Sequence, residues 1–315
     1  MTSLICAGID AGQRSLDIGL APSGRTFRLP NTAAALGPLL ERLQRDGVQR
    51  VVLEAAGTYA QPVAHALDAA GFAVGVVNPR RIKAFREAEG KRAKTDRLDA
   101  GLIARFALVM PDAIRPLPSA EQRTLKALAT RRRQLTEMIA MEKTRLKQAL
   151  EPAVAESHRA AIADLSRACA KVEALIEDGL AKDPRRAEDR RILTSIPGIG
   201  PRIAQVLLTE MPELGRCDRK AIASLAGLAP HISQSGKAPP RAAIAGGRPC
   251  IRAALYMSAL VAVRRDPKMK LAYHALRDSG KPAKVALVAI ARRILITANA
   301  MIKAQTPYKP DLNHT

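Results

Sequence analysis

Leu4-Ile5-Cys6-Ala7-Gly8-Ile9-Asp10-Ala11-Gly12 is a short run of apolar and small residues that stops on a carboxylate. Leu16–Leu20 and Thr26–Leu29 follow it as a pair of strands. Ala33–Arg45 then carries Leu36, Leu39, Leu40 and Leu43 at helical spacing, and Val51–Leu53 is a second buried run, closed by Glu54. A helix over Pro62–Ala70 and a strand over Ala73–Val77, halted at Asn78-Pro79, complete the alternation. Strands separated by helices predict an α/β sheet for this part of the chain.

In such sheets chemistry collects at the C-terminal ends of strands. Asp10 and Glu54 both stand there, and small neighbours around Asp10 leave room for a ligand. Asp96 and Asp99 follow in Lys94-Thr95-Asp96-Arg97-Leu98-Asp99-Ala100, and on a helix that i, i+3 spacing puts both on one face. Each carboxylate alone reads equally well as a turn former or a salt-bridge partner. Together, unpaired, they would repel one another and lose hydration, and a hard divalent cation with oxygen ligands removes both costs. Mg²⁺ or Mn²⁺ suits the set, because no thiolate or imidazole is at hand. Two such ions about 4 Å apart activate the attacking oxygen and stabilise the leaving one in phosphodiester cleavage.

Composition points to the same partner. The chain has 315 residues, room for about two domains, and 47% hydrophobic with 25% charged residues marks a globular protein. Its formal net charge is +22, which asks for a polyanion, nucleic acid before an anionic membrane. Residues 191–315 hold 20 basic and 6 acidic side chains, so that polyanion belongs mainly to the C-terminal third. With no Trp, four Phe and four Tyr, stacking on single-stranded bases gives way to phosphate contacts. Cys6, Cys169, Cys217 and Cys250 form no CxxC pair and the five histidines are scattered, which excludes zinc fingers and a disulfide framework and fits the cytoplasm. No run of about 18 apolar residues and no signal peptide stand out, so no membrane partner is expected.

Three segments follow: 1–112 as the α/β acidic domain, 113–188 as a helical segment, and 189–315 as a mainly helical C-terminal domain. Pro111, Pro116 and Pro118 mark the first linker. From Leu125 heptad seams run through Leu125, Arg132, Ile139 and Leu146, and again through Ile162, Cys169 and Ile176. This is the pattern of an antiparallel hairpin, a dimerising coiled coil, or simply two amphipathic helices. Ile196-Pro197-Gly198-Ile199-Gly200-Pro201 has the form of a helix-hairpin-helix turn, in which Gly198, Gly200 and Arg202 can meet a phosphate, or of a plain interhelical turn.

Here the sequence becomes recognisable. Ile9-Asp10-Ala11-Gly12, Leu53-Glu54-Ala55-Ala56-Gly57-Thr58-Tyr59, Val77-Asn78-Pro79 and the Lys94–Ala100 stretch resemble the DEDD domain of an insertion-sequence transposase family. That family is related to Piv-type site-specific DNA invertases. The match continues through Ile196–Gly200, Ala226–Pro230, Gln234-Ser235-Gly236 and Leu255-Tyr256-Met257, so it covers nearly the whole chain in order. Ala56 departs from it, where the family more often has Thr, without removing a carboxylate. The resemblance implies a RuvC-like, RNase H-like first domain whose carboxylates Asp10, Glu54, Asp96 and Asp99 hold the metal. It implies Ser235 as the DNA-attacking nucleophile, forming a phosphoserine linkage. It also implies coiled-coil helices that build a dimer or tetramer around the two DNAs, element ends and target, and a non-coding bridge RNA that selects them by base pairing.

Lys237, Arg241, Arg248 and Arg252 flank that serine, and they can neutralise the phosphate or simply hold backbone. A recombinase that moves an insertion sequence is the leading reading. A metal-dependent junction resolvase or nuclease using water, and an architectural nucleic-acid-binding protein with structural carboxylates, are the alternatives.

Overall fold

The computed structural model describes residues 4–55, 57, 59–90, 96–233 and 241–309, with the side chains of 96–98, 231–233 and 241–242 outside that description. The chain divides into two compact units, Met1–Ser119 and Ala120–Thr315.

The first unit is built on a five-stranded sheet in the order β3-β2-β1-β4-β5. Its strands are β1 (Cys6–Ala11), β2 (Ser15–Ala21), β3 (Thr26–Pro30), β4 (Arg50–Glu54) and β5 (Ala73–Val77). The β1–β2 and β2–β3 pairs are antiparallel, and β1–β4 and β4–β5 are parallel. Helices α1 (Ala33–Arg45) and α2 (Ala60–Ala69) make the parallel crossovers, and α3 (Pro79–Ala88) and α4 (Asp96–Val109) follow β5.

Alternation along the strands sorts their side chains onto two faces. Ala7, Ile9, Leu16, Ile18, Val51 and Leu53 pack with Leu39, Leu43, Val63 and Leu67 of α1 and α2. Cys6, Val52 and Val77 pack on the opposite side with Ile82 of α3 and Ile103 and Phe106 of α4. By the same two-residue period, Gly8, Asp10 and Glu54 belong to the α3–α4 face.

Gly8 and Gly19 are direct cross-strand partners. A Cβ on Gly8 would lie 2.5 Å from the Ala100 carbonyl oxygen and closer still to the Ala104 nitrogen; one on Gly19 would lie 2.6 Å from Ala100 and Gly101 backbone atoms. Helix α4 therefore rests its backbone directly on the sheet, with Ala100, Ala104 and Ala107 fully buried in the seam. The small residues near Asp10 thus admit a helix.

The second unit opens with α5 (Ala120–Gln148) and α6 (Pro152–Ala181), an antiparallel hairpin whose buried core lies at its base, at Leu125, Ile176 and Leu180. An Arg132–Glu173 ion pair at 2.7 Å and a Glu142–His158 hydrogen bond at 2.6 Å bridge the two helices. Beyond it come α7 (Pro184–Thr194), α8 (Pro201–Glu210), α9 (Arg219–Leu225), α10 (Pro249–Arg265), α11 (Pro267–Asp278) and α12 (Ala283–Ala304).

Helix α12 is the centre of the main core, where Ile290, Ile294 and Leu295 meet Ile192, Leu207, Ile222 and Leu255. It is also long and apolar enough to cross a membrane by composition, which corrects the expectation of no such run. Nine of its residues are buried within the unit, which explains its composition as that of a core helix. The Gly- and Pro-rich stretch 227–249 contains an antiparallel pair, β6 (Pro230–Ser233) and β7 (Arg241–Ile244), with Ile232 opposite Ala242.

Gly8→Ala is expected to destabilise the protein by about 1–3 kcal/mol, because the new methyl has only backbone to push against. Gly37→Ala, exposed in α1 with no neighbour near the new Cβ beyond the adjacent residues, should bring less than the ~0.5–1 kcal/mol gained at an ordinary mid-helix glycine, because the Pro38 ring crowds a Cβ on the helical residue before it; urea unfolding reads both. In the hairpin, hydrogen bonds with His158 first and Arg145 second hold the Glu142 carboxyl below its ordinary value. A depressed carboxyl contributes stability above its unfolded pKa and loses it as pH falls through the folded one. Protection of the amides around 142 and 158, relative to their intrinsic exchange at each pH, should therefore fall on acidification below about pH 4, and Glu142→Gln should flatten that dependence.

Candidate active site

Asp10 of β1, Glu54 at the end of β4 and Asp99 in the first turn of α4 line one cavity of 390 Å³. Parallel pairing of β1 and β4 runs through Ile9–Leu53, so Asp10 and Glu54 emerge one residue further on, side by side on the same face. The glycine seat under Ala100 brings Asp99, the residue before it, onto that face as well. Asp96 opens α4 three residues earlier; its side chain lies outside the described residues.

The opposite wall is cationic. Pro79, Arg80, Ile82, Lys83 and Arg86 line the same cavity from α3, a set spaced as one helical face. Asn78 caps this helix, its Oδ1 accepting from the Arg80 N–H at 2.9 Å, with Pro79 in the first turn. Phe85 of α3 meets Phe106 of α4 edge-on at 5.4 Å between ring centroids. Arg86 Nη2 donates to Asp99 Oδ1 at 2.5 Å, and Asp99 is only 6% exposed.

Asp17 is a further buried carboxylate, directly across the strand pair from Asp10. Like charges in that position destabilise a sheet, and Arg28 of β3 offsets Asp17 with two hydrogen bonds of 2.8 and 2.9 Å. Neither Asp17 nor the basic face of α3 was identified from the sequence. The Asn78-Pro79 cap was the available signal for α3, since it starts a helix as well as ending a strand. Asp17 carries no local signal, because its importance comes from a partner on another strand.

Among the described residues no three His, Cys, Asp or Glu side chains come together as a metal cluster. The cavity's anionic donors are carboxylates, the hard oxygen chemistry that suits Mg²⁺ or Mn²⁺. The residues present therefore fit such an ion by donor type.

In the second unit the predicted contact residues are dispersed. Gly198 has φ of +89° and faces α10, where a Cβ would collide with the Ser258 carbonyl oxygen. Gly200 is the exposed N-cap of α8, and its carbonyl accepts from Ile203 and Ala204. Arg202 is ion-paired with Glu173 of α6. Arg248 is held by Glu213 through two bonds of 2.7 and 2.6 Å, and this partner raises the guanidinium pKa above its ordinary value. Arg252 donates to the Gly246 carbonyl at 2.9 Å. Arg241 opens β7, its side chain outside the described residues; Ser235 and Lys237, between β6 and β7 in the sequence, also lie outside them.

Glu213→Ala should therefore cost about 1–3 kcal/mol of stability by leaving Arg248 half-buried and unpaired. Urea unfolding of the single and double variants should show the Glu213→Ala, Arg248→Ala pair losing less than the two separate losses combined.

Known proteins resemble the chain along most of its length. A family model described as a transposase, of the IS110 DEDD type, matches residues 7–154, and one described as transposase of the IS116/IS110/IS902 family matches residues 190–274. The pilin gene-inverting protein of Moraxella bovis is 29% identical over 262 residues, covering 82% of this chain and 81% of that protein. The uncharacterized 43.6 kDa protein of insertion element IS110 from Streptomyces coelicolor is 34% identical over 124 residues, 38% of this chain and 30% of that protein. Among solved structures, T. thermophilus RuvC in complex with a Holliday junction substrate aligns over 36% of this chain and 100% of its own, at 19% identity and a TM-score of 0.29.

Proposed function

The chain belongs to the IS110/IS116/IS902 family of transposases, and we propose that it cuts and rejoins DNA through a covalent phosphoserine intermediate. The observation that carries this reading is the single cavity in which Asp10, Glu54 and Asp99 face Arg80, Lys83 and Arg86. Such a cavity suits a phosphodiester, since its cations can hold the free oxygens while its carboxylates retain a divalent ion. Asp10, Glu54, Asp96 and Asp99 would hold Mg²⁺ or Mn²⁺, which when bound stabilises charge on the phosphate and on the departing oxygen.

Ser235 is the nucleophile in this reading. Its Oγ forms a bond to phosphorus as the bond from phosphorus to the deoxyribose oxygen breaks. The serine proton passes to a base, and the departing oxygen takes one up. The linkage conserves the phosphodiester free energy, so a hydroxyl of the exchanged strand reverses the step without ATP.

Gly198, Gly200, Arg202, Lys237, Arg241, Arg248 and Arg252 would contact nucleic acid from the second unit, whose excess of basic residues supports that role. For the internally paired Arg202, Arg248 and Arg252, a phosphate must replace or join the present partner. An element-encoded bridge RNA supplies the sequence choice, leaving the protein to read backbone shape. The α5–α6 hairpin is the device for assembling a dimer or tetramer, and the work is done in the cytoplasm. The Moraxella bovis relative makes inversion as natural an outcome as insertion.

The test incubates the protein with Mg²⁺, labelled element-end DNA and RNA transcribed from the element's flanks. A denaturant-stable protein–DNA adduct is expected for wild type and is absent for Ser235→Ala and Asp10→Asn. Cleavage without adduct that survives Ser235→Ala and is lost in Asp10→Asn would identify a nuclease using water. Binding indifferent to Mg²⁺, with no cleavage, would identify an architectural protein.

A further inference from the structure

Arg86 and Asp99 form the most enclosed ion pair of the first unit among the described residues, their side chains 18% and 8% exposed. Their neighbours on α3 behave differently. Arg80 is exposed, and Lys83 is exposed and lies 3.9 Å from Glu87 one turn along the same helix. Arg86 turns its charge onto Asp99, a cavity carboxylate that the reaction requires.

Resting on the metal reading above, we propose that Arg86 is an internal counter-cation, holding Asp99 while no divalent ion is bound and yielding it when one binds. Charge balance argues for this role. Asp17 and Asp10 stand opposite each other in the sheet, and Glu54 and Asp99 join Asp10 in the cavity. Arg28 offsets Asp17 and Arg86 offsets Asp99, which lets the sheet and helix fold around these carboxylates before any ion arrives. Leaving one buried charge without its partner is strongly destabilising.

Placement argues for it too. Ile82 is buried, Phe85 stacks edge-on against Phe106, and the Arg81 guanidinium lies 5.4 Å from the centre of that ring. Helix α3 is thus fastened to α4, and it delivers the guanidinium to Asp99 from a fixed position. An ion that takes the Asp99 oxygen must compete with that bond. The displaced guanidinium stays within the cavity, where the substrate phosphate is the next anion within reach.

The test is Mn²⁺ binding to the full-length protein, read from the paramagnetic resonance of free Mn²⁺, together with thermal unfolding in EDTA. Arg86→Gln should melt lower than wild type in EDTA and bind Mn²⁺ about tenfold more tightly, the worth of one hydrogen bond to a charged group. Lys83→Gln removes the same charge from the same helix face and should change the affinity by less than about twofold, since its pairing is a surface one. Adding Arg86→Gln to Asp99→Asn should bring no gain over Asp99→Asn alone.

If Arg86→Gln does not fold, Arg86→Lys carries the test, with a smaller gain in the same direction because an ammonium lacks the guanidinium fork. Unchanged or weaker Mn²⁺ binding in the Arg86 variants, or an equal gain in Lys83→Gln, overturns the proposal while leaving the metal reading intact. No Mn²⁺ binding by wild type or any variant overturns both.

Discussion

Backbone-to-backbone packing of α4 on the Gly8–Gly19 pair is the constraint on which the first unit depends. An ordinary helix stands about 10 Å from a sheet because side chains separate them. Here two facing glycines remove that spacer on the sheet side, and Ala100 and Ala104 keep it small on the helix side. The reward is positional: Asp99 precedes Ala100, so the same contact that seats the helix lowers a carboxylate to the level of the strand ends. A bulkier residue at either glycine would lift Asp99 away from Asp10 and Glu54.

Gathering anions on one buried face creates an electrostatic problem to which Arg28 and Arg86 are part of the fold's answer. Arg28, one strand away, takes both Asp17 oxygens through its Nε and Nη2, and Arg86, from α3, takes Asp99. A planar guanidinium suits both places because it is permanently charged and less strongly hydrated than an ammonium. The cavity that results takes its acid from the ends of β1 and β4 and from the first turn of α4, and its base from α3, an arrangement able to accept both a cation and a phosphate. Affinity for either then depends on how readily the internal pairs give way.

The second unit handles charge in another manner. It holds most of the excess basic residues, yet Arg202, Arg248 and Arg252 are engaged by Glu173, Glu213 and backbone carbonyls. Glu173 serves Arg132 of α5 as well as Arg202 of α8, so it ties the helical hairpin to the body of the unit. Gly198 likewise works inward, allowing α10 to pass close to the turn between α7 and α8. Basic residues near a glycine turn are therefore as much part of the scaffold as of a surface, a distinction that spacing along the chain does not reveal.

Much of the first unit was legible in the sequence, because its determinants are local. Short strand-forming runs mark β1, β2, β3, β4 and β5, the leucine spacing marks α1 from Ala33 to Arg45, and Asp10, Glu54 and Asp99 could be chosen from their places beside those elements. The motif order along the whole chain gave the family, since motifs are themselves stretches of sequence. The pairing of β6 with β7 was not legible, because short strands in a Gly- and Pro-rich segment carry no period of their own. Nor was the apolar character of α12 assignable to a core before Ile192, Leu207, Ile222 and Leu255 were seen around it. The Gly8–Gly19 seat, the Asp17–Arg28 pair and the Arg86–Asp99 pair join residues on different elements. Sequence by itself determines which residues can form strands, helices and a hard-ion donor set; only the tertiary structure decides which charges meet, because charge pairing depends on distance in space and the chain fixes only order.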